Sequence, residues 1–157
     1  MADRPGPIRA GWGWVVEKFR SLRAAVGAVG RPAVAGTRGI GSRGEDAAGW
    51  YLDRRGYRIL ERNWWAPARS GEIDIVALKG RTLIAVEVKS FPEGRLTPSE
   101  ALPSAKRRKL VSLIKQYARS HGHADCSLRV DLVTVEWGTD GRPGRVEHLQ
   151  SVATGDG

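Results

Sequence analysis

The sequence predicts an α/β domain with elements in the order α-β-β-β-α-β-β, preceded by a separate amphipathic helix. Three observations carry the prediction. Leu110, Leu113, Ile114 and Tyr117 recur at three- and four-residue steps, the spacing of one helix face. Residues 72–79 and 81–90 instead alternate as strands do, with Gly80 in the tight turn between them. The 157 residues suit one ordinary domain, with roughly 30–40 to spare.

The elements follow in chain order. Trp12, Val15, Val16, Phe19, Leu22, Val26 and Val29 form an apolar stripe, which predicts a helix over about 12–29 with Lys18, Arg20 and Arg23 outside the stripe. Pro32, Gly36, Gly39 and Gly41 mark a linker. A helix over about 43–55 opens at Gly44-Glu45-Asp46 and stops at Gly56, where a left-handed C-cap is easiest. Strands are expected near 57–65, 72–79 and 81–90. Thr97-Pro98-Ser99-Glu100 has capping-box spacing, but Pro103 interrupts it, so the main helix is expected over 104–120. Strands over 127–136 and a short 145–149 complete the order. The domain division is therefore 1–41 as a basic extension, 42–151 as the folded domain and 152–157 as a flexible tail.

Charge narrows the function classes. The chain carries 26 basic and 17 acidic residues, a net +9 with a pI near 10.4. Such a surplus points to a polyanionic partner, nucleic acid or an anionic membrane face. Residues 1–43 hold eight basic residues against Asp3 and Glu17, so the extension owns +6 and the remainder only +3. The extension's basic helix is thus a candidate for docking on a membrane surface or on another protein. No apolar run is long enough for a transmembrane helix. The single Cys126 excludes an intramolecular disulfide and any cysteine-cluster zinc site, and it fits a reducing, cytoplasmic setting.

Chemistry concentrates between Gly71 and Lys89. On strands, Glu72 and Asp74 share one face and Glu87 and Lys89 share one face, among Val76, Leu78, Leu83 and Ala85, while Ile73, Ile75 and Ala77 point the other way. A Gly80-Arg81 loop pairs position 74 with 87; a Lys79-Gly80 loop pairs 72 with 87 and 74 with 85. Either register gathers Glu72, Asp74, Glu87 and Lys89. Carboxylates that close repel unless a cation lies between them, and their hard oxygens suit Mg²⁺ or Mn²⁺. A lysine at Lys89 could hold an attacking water or steady a phosphate's charge. The bland alternative is a half-solvated hairpin with a Glu-Lys pair on its wet side.

Asp74, then Glu87-Val88-Lys89, resembles the D…(D/E)-x-K signature of restriction-endonuclease-like nucleases. Gly44-Glu45, Arg62-Asn63, Gly71-Glu72-Ile73-Asp74, Val86-Glu87-Val88-Lys89 and Arg129-Val130-Asp131-Leu132-Val133 together resemble the YraN family, bacterial proteins placed in that superfamily. The resemblance covers about residues 42–137 and implies a restriction-endonuclease-like core, a mixed sheet flanked by helices. It implies Asp74 and Glu87 as ligands of Mg²⁺ (or Mn²⁺) and Lys89 as the catalytic lysine. Glu45 would be a further catalytic acid and metal ligand from the first helix, as in the similar archaeal Holliday-junction resolvases, with Glu72 in a second tier. Ile73 stands where the superfamily's motif usually has proline. The implied activity is hydrolysis of DNA, with branched or repair and recombination intermediates as candidate substrates, and it admits a homodimer. The alternative is a nucleic-acid-binding module that keeps the fold without catalysis.

Several residues have competing readings. Glu45 suits the first turn of a helix whatever its function, because the macrodipole favours an acid there. Lys106, Arg107, Arg108 and Lys109 fan around a helical turn, either as a solvated face or as phosphate contacts for nucleic acid. Arg129 and Asp131 fit a structural ion pair. His121, His123 and Cys126 have the spacing of a weak soft-metal site. Of Trp64 and Trp65, one belongs in the core and the other could stack on bases.

Overall fold

A computed structural model describes residues 40–94 and 102–154. The amphipathic helix expected at 12–29, the linker before residue 40 and the capping box at 97–100 lie outside the described residues. Within them the elements are α1 (Ile40–Asp53), β1 (Arg58–Trp65), a 3₁₀ turn (Pro67–Arg69), β2 (Glu72–Lys79), β3 (Thr82–Pro92), α2 (Ser104–Ser120), β4 (Ser127–Trp137) and β5 (Pro143–Thr154). The strands form one sheet in the order β1-β2-β3-β4-β5. Only β3 and β4 run parallel, and α2 lies between them in sequence; the other neighbours are antiparallel. Among the described residues the fold is therefore mixed α/β, with a mixed five-stranded sheet and two helices.

The helices cover two separate cores. Leu110, Leu113, Ile114, Tyr117 and Ala118 of α2 pack with Trp64, Val76, Leu83, Ala85, Val130 and Leu132. Ala47, Ala48, Tyr51 and Leu52 of α1 pack with Ile75, Ala77, Ile84, Val86, Val133 and Val135. Burial on both faces explains why β3 reads as a nearly continuous apolar run from Leu83 to Val86. Both helices end as Gly56 and Gly122 allow. Each glycine has positive φ, and the next residue's N–H reaches back to Leu52 and Ala118 respectively, the bonding of a Schellman cap.

Two boundaries differ from expectation. Helix α1 starts at Ile40, so Glu45 lies beyond its first turn, and no acid occupies that turn. The macrodipole reading of Glu45 is thereby lost. Strand β5 is longer than 145–149 and runs to Thr154, so residues 152–154 belong to the sheet and not to a tail. The extension is held at Asp131, which is fully buried. Its carboxylate accepts from Arg129 Nε and Nη2 at 2.8 Å and from the Ser151 N–H at 2.9 Å, and contacts His148 Nε2 at 2.8 Å. Burial works to raise the Asp131 pKa, but the hydrogen bonds from His148, Arg129 and Ser151 outweigh it and hold the group low. The expected ion pair with Arg129 is present; the partners from β5 have no local sequence signal.

Helix α1 approaches β3 closely at Gly44. A Cβ there would stand 1.7 Å from Ser90 Oγ and 2.9 Å from Ser90 Cβ. Arg43 also ties the helix to the β4–β5 turn, bonding the Gly141 carbonyl and lying 4.4 Å from the Trp137 ring centroid. Gly44→Ala should therefore lose about 1–3 kcal/mol of stability through overpacking. Urea denaturation tests this, and Ser90→Gly in the Gly44→Ala background should recover part of the loss. An unchanged midpoint for Gly44→Ala would contradict the close approach.

Candidate functional site

The β2–β3 hairpin uses Gly80-Arg81 as its two-residue loop, with Lys79 paired to Thr82 and Ile75 to Val86. Of the two expected registers this is the one that sets Asp74 across from Glu87. The ladder stops at Ile75–Val86, and Asp74 Oδ2 accepts the Val88 N–H at 2.7 Å. A side-chain carboxylate thus takes a backbone donor where regular pairing has ended.

The same point shows a break in side-chain alternation. Ile75 and Ala77 pack under α1 as expected of one face, but Ile73 packs with Trp64 under α2. The expectation that all three point one way fails at Asp74. Its neighbour in register is Asn63, framed by the pairs Arg62–Ile75 and Trp64–Ile73, and Asn63 has φ 53°. Asparagine tolerates that left-handed conformation better than most residues, which lets both strands twist there. Arg62 on the α1 side lies 3.1 Å from Asp46.

Glu87 is the most constrained group of the site, with 2% of its side chain exposed. Lys89 Nζ lies 2.8 Å from Oε1, and Lys106 Nζ lies 3.1 Å from Oε2. The second contact is an ion pair without hydrogen-bond geometry, so buried Oε2 has no hydrogen-bond donor. A carboxylate this buried is costly without compensating charge. Burial disfavours charged Lys89, but its hydrogen bond with Glu87 and the charges of Glu87, Asp74 and Glu72 outweigh that, so its pKa is raised.

Asp74 behaves differently. Burial first, then the charges of Glu87 and Glu45, push its pKa up to about 6, against the Val88 hydrogen bond and Lys106. Glu45 therefore acts on this site electrostatically from α1, while Lys106 reaches it from α2. Among the described residues no three His, Cys, Asp or Glu side chains gather as a group that could hold a metal. The arrangement is two carboxylates and two lysines at the point where β2 and β3 part, with Glu45 and Glu72 flanking.

The profile of the uncharacterised protein family UPF0102 matches residues 44–135, more than half of the chain. The chain belongs to the UPF0102 family. A UPF0102 protein of Renibacterium salmoninarum is 41% identical over 114 residues, covering 72% of this chain and 94% of its own. One from Anaeromyxobacter dehalogenans is 39% identical over 123 residues, covering 78% and 89%. One from Symbiobacterium thermophilum is 44% identical over 107 residues, covering 68% and 89%. The matched span contains Glu45, Glu72, Asp74, Glu87, Lys89 and Lys106.

The basic run of this UPF0102 chain divides. Lys106 turns to Glu87, whereas Arg108 and Lys109 are exposed and Arg107 is half-buried. Sequence reasoning grouped Lys106 with phosphate contacts and missed its pairing with Glu87. A signal existed: Lys106 lies in the first turn of α2, where the macrodipole disfavours a cation, so the helix alone does not explain it. Trp64 is buried against Tyr117 and Trp65 is exposed, as the alternation required. His121 and His123 stack on Tyr117 instead of forming a soft-metal site with Cys126.

Asp74 gives a pH prediction. Its pKa is about 6 when folded against 3.8 for the free side chain, so the native state binds the proton more tightly. Stability then falls as pH rises from about 4 to 6, and the loss is complete above that window. Asp74→Asn keeps an acceptor for Val88 and removes the charge. In metal-free buffer it should be about 1–2 kcal/mol more stable than wild type at pH 7, after discounting for partial solvation, and nearly equal at pH 4. Equal differences at the two pH values, measured by urea denaturation, would contradict the assignment.

Proposed function

We propose that this UPF0102 chain is a Mg²⁺-dependent phosphodiester hydrolase acting on DNA through a restriction-endonuclease-like core. The observation that carries the proposal is the convergence of Asp74, Glu87 and Lys89 where β2 and β3 separate. The donor set fits a hard divalent cation. Asp74 and Glu87 offer carboxylate oxygens, one of them, Glu87 Oε2, buried without a hydrogen bond, and the raised pKa of Asp74 marks a carboxylate whose charge a bound cation would stabilise. Glu45 is the further acid within electrostatic reach, and Glu72 remains second tier. Bound there, Mg²⁺ or Mn²⁺ would supply Lewis acidity toward a phosphoryl oxygen and lower the pKa of water.

The chain's own residues contribute the rest. Lys89 is 43% exposed at its side chain while still anchored to Glu87, so its ammonium can donate both to that carboxylate and to a water or phosphate oxygen outside it. Lys106 holds the second oxygen of Glu87 and offsets its charge in the metal-free chain. Arg108 and Lys109 are available to phosphates along α2.

One observation favours the alternative of a non-catalytic nucleic-acid-binding module: two lysines already offset the charge of Glu87, and the acids do not close into a metal-holding group. The two readings separate on purified protein with Mg²⁺ or Mn²⁺, given linear, flap and four-way DNA and RNA. The hydrolase reading expects cleavage by wild type and a loss of roughly 10²-fold or more in rate for Glu87→Ala and for Lys89→Ala. If wild type and both variants behave alike on every substrate, it is lost. Salt-sensitive binding that persists in Glu87→Ala without divalent ions would then support the binding module.

A further inference from the structure

Trp65 is the one large apolar side chain exposed among the described residues, at 47%. Its position is fixed by its neighbours. Trp64 and Ala66 are buried, so Trp65 between them must face outward. Immediately after comes an unusual turn. Ala68 and Arg69 both have positive φ, at 54° and 51°, although neither is glycine. Two consecutive left-handed residues are disfavoured because each Cβ crowds the following carbonyl. Hydrogen bonds from Ala66 N to Gly71 O (2.9 Å), Arg69 N to Ala66 O (3.0 Å) and Ser70 N to Pro67 O (3.3 Å) hold them. Gly71 backs onto α2 so tightly that a Cβ would meet Lys109 Cε at 2.7 Å. The strained turn brings the Arg69 guanidinium to 5.2 Å from the Trp65 ring centroid.

This aromatic–cation pair lies at the same end of the sheet as the candidate site. Trp65 pairs with Glu72, two residues before Asp74. At about 3.4 Å per residue and 4.8 Å between strands, the Trp65 and Asp74 Cα atoms are about 8 Å apart, a reach of one or two nucleotides. Exposed indole suits a base, and the Arg69 charge suits a phosphate beside it.

We propose that Trp65 and Arg69 form a subsite for an unstacked nucleobase, so that the DNA bound here is discontinuous: single-stranded, flapped or branched. In an uninterrupted duplex each base is covered on both faces by its neighbours, which leaves none for an indole. The subsite rests on the nucleic-acid reading of the adjacent site and narrows its substrate class.

The test is fluorescence anisotropy of a labelled single strand, and of the same sequence as blunt duplex, at one fixed salt concentration with EDTA and no divalent ion. Trp65→Ala should weaken single-strand binding roughly 10-fold, Trp65→Phe should stay within about threefold of wild type, and duplex binding should change less than about twofold in both. Thermal melts of the variants check folding, and the Phe variant keeps the comparison valid if Ala unfolds. Equal losses on both DNAs, no loss, no rescue by Phe, or no DNA binding by wild type would each overturn the subsite. So would a Trp65→Ala defect confined to phosphatidylglycerol vesicles, which would assign the ring to a lipid surface. Because cleavage is assayed separately, single-strand binding through Trp65 without hydrolysis would retain the subsite and reject the hydrolase.

Discussion

Everything at this end of the molecule depends on a carboxylate placed where water cannot reach it. Glu87 sits on the central strand β3, between the antiparallel strand β2 and the parallel strand β4. In that position an isolated negative charge is not tolerable, and removing one partner of such a pair leaves the other charge stranded. One cation comes from the same strand, because alternation puts Lys89 on the face of Glu87. The other comes from α2. Docking of that helix therefore neutralises the site as well as burying Leu110, Leu113 and Ile114, and electrostatics and packing select the same arrangement.

Much of this was legible in the sequence. Gly56 predicted the stop of α1, Gly80 the hairpin turn, and the Leu110–Tyr117 stripe the buried face of α2. Glu87 and Lys89 could be placed together because a two-residue spacing on a strand leaves no other choice. What stayed hidden was set by distant contacts or by broken regularity. Lys106 looked like one of four equivalent cations until the fold brought one of them to Glu87. His148 and Ser151 meet Asp131 only after β5 pairs with β4. The turn of Ile73 away from Ile75 follows from a left-handed Asn63, which periodicity cannot express. Glycines at 39 and 41 read as a linker and point to a helix opening near Gly44, whereas α1 already runs through Gly41 because a helix tolerates an isolated glycine at modest cost.

The site is also a place where the fold works against itself. Asp74 is held by a backbone N–H yet burdened by burial and by two other acids, so it ionises only near pH 6, well above the ordinary carboxylate range. Strain, electrostatic at Asp74 and conformational at Asn63, Ala68 and Arg69, gathers along one end of the sheet, although Ser151 on the far strand β5 is also left-handed. Such clustering is the usual mark of a region shaped for something other than stability.

The parallel pairing of β3 with β4 has a consequence in time as well as in space. A hairpin such as β2–β3 can close locally, but a parallel partner must return across residues 93–126, and non-local pairings of this kind are slow to form. During synthesis the hairpin bearing Asp74, Glu87 and Lys89 emerges from the ribosome before α2 and β4 do. Glu87 then has only Lys89 beside it and stays in water. The assembled cluster is thus an attribute of the finished chain alone: a truncated or half-made copy carries every signature residue of the hairpin and none of the environment that gives those residues their chemistry.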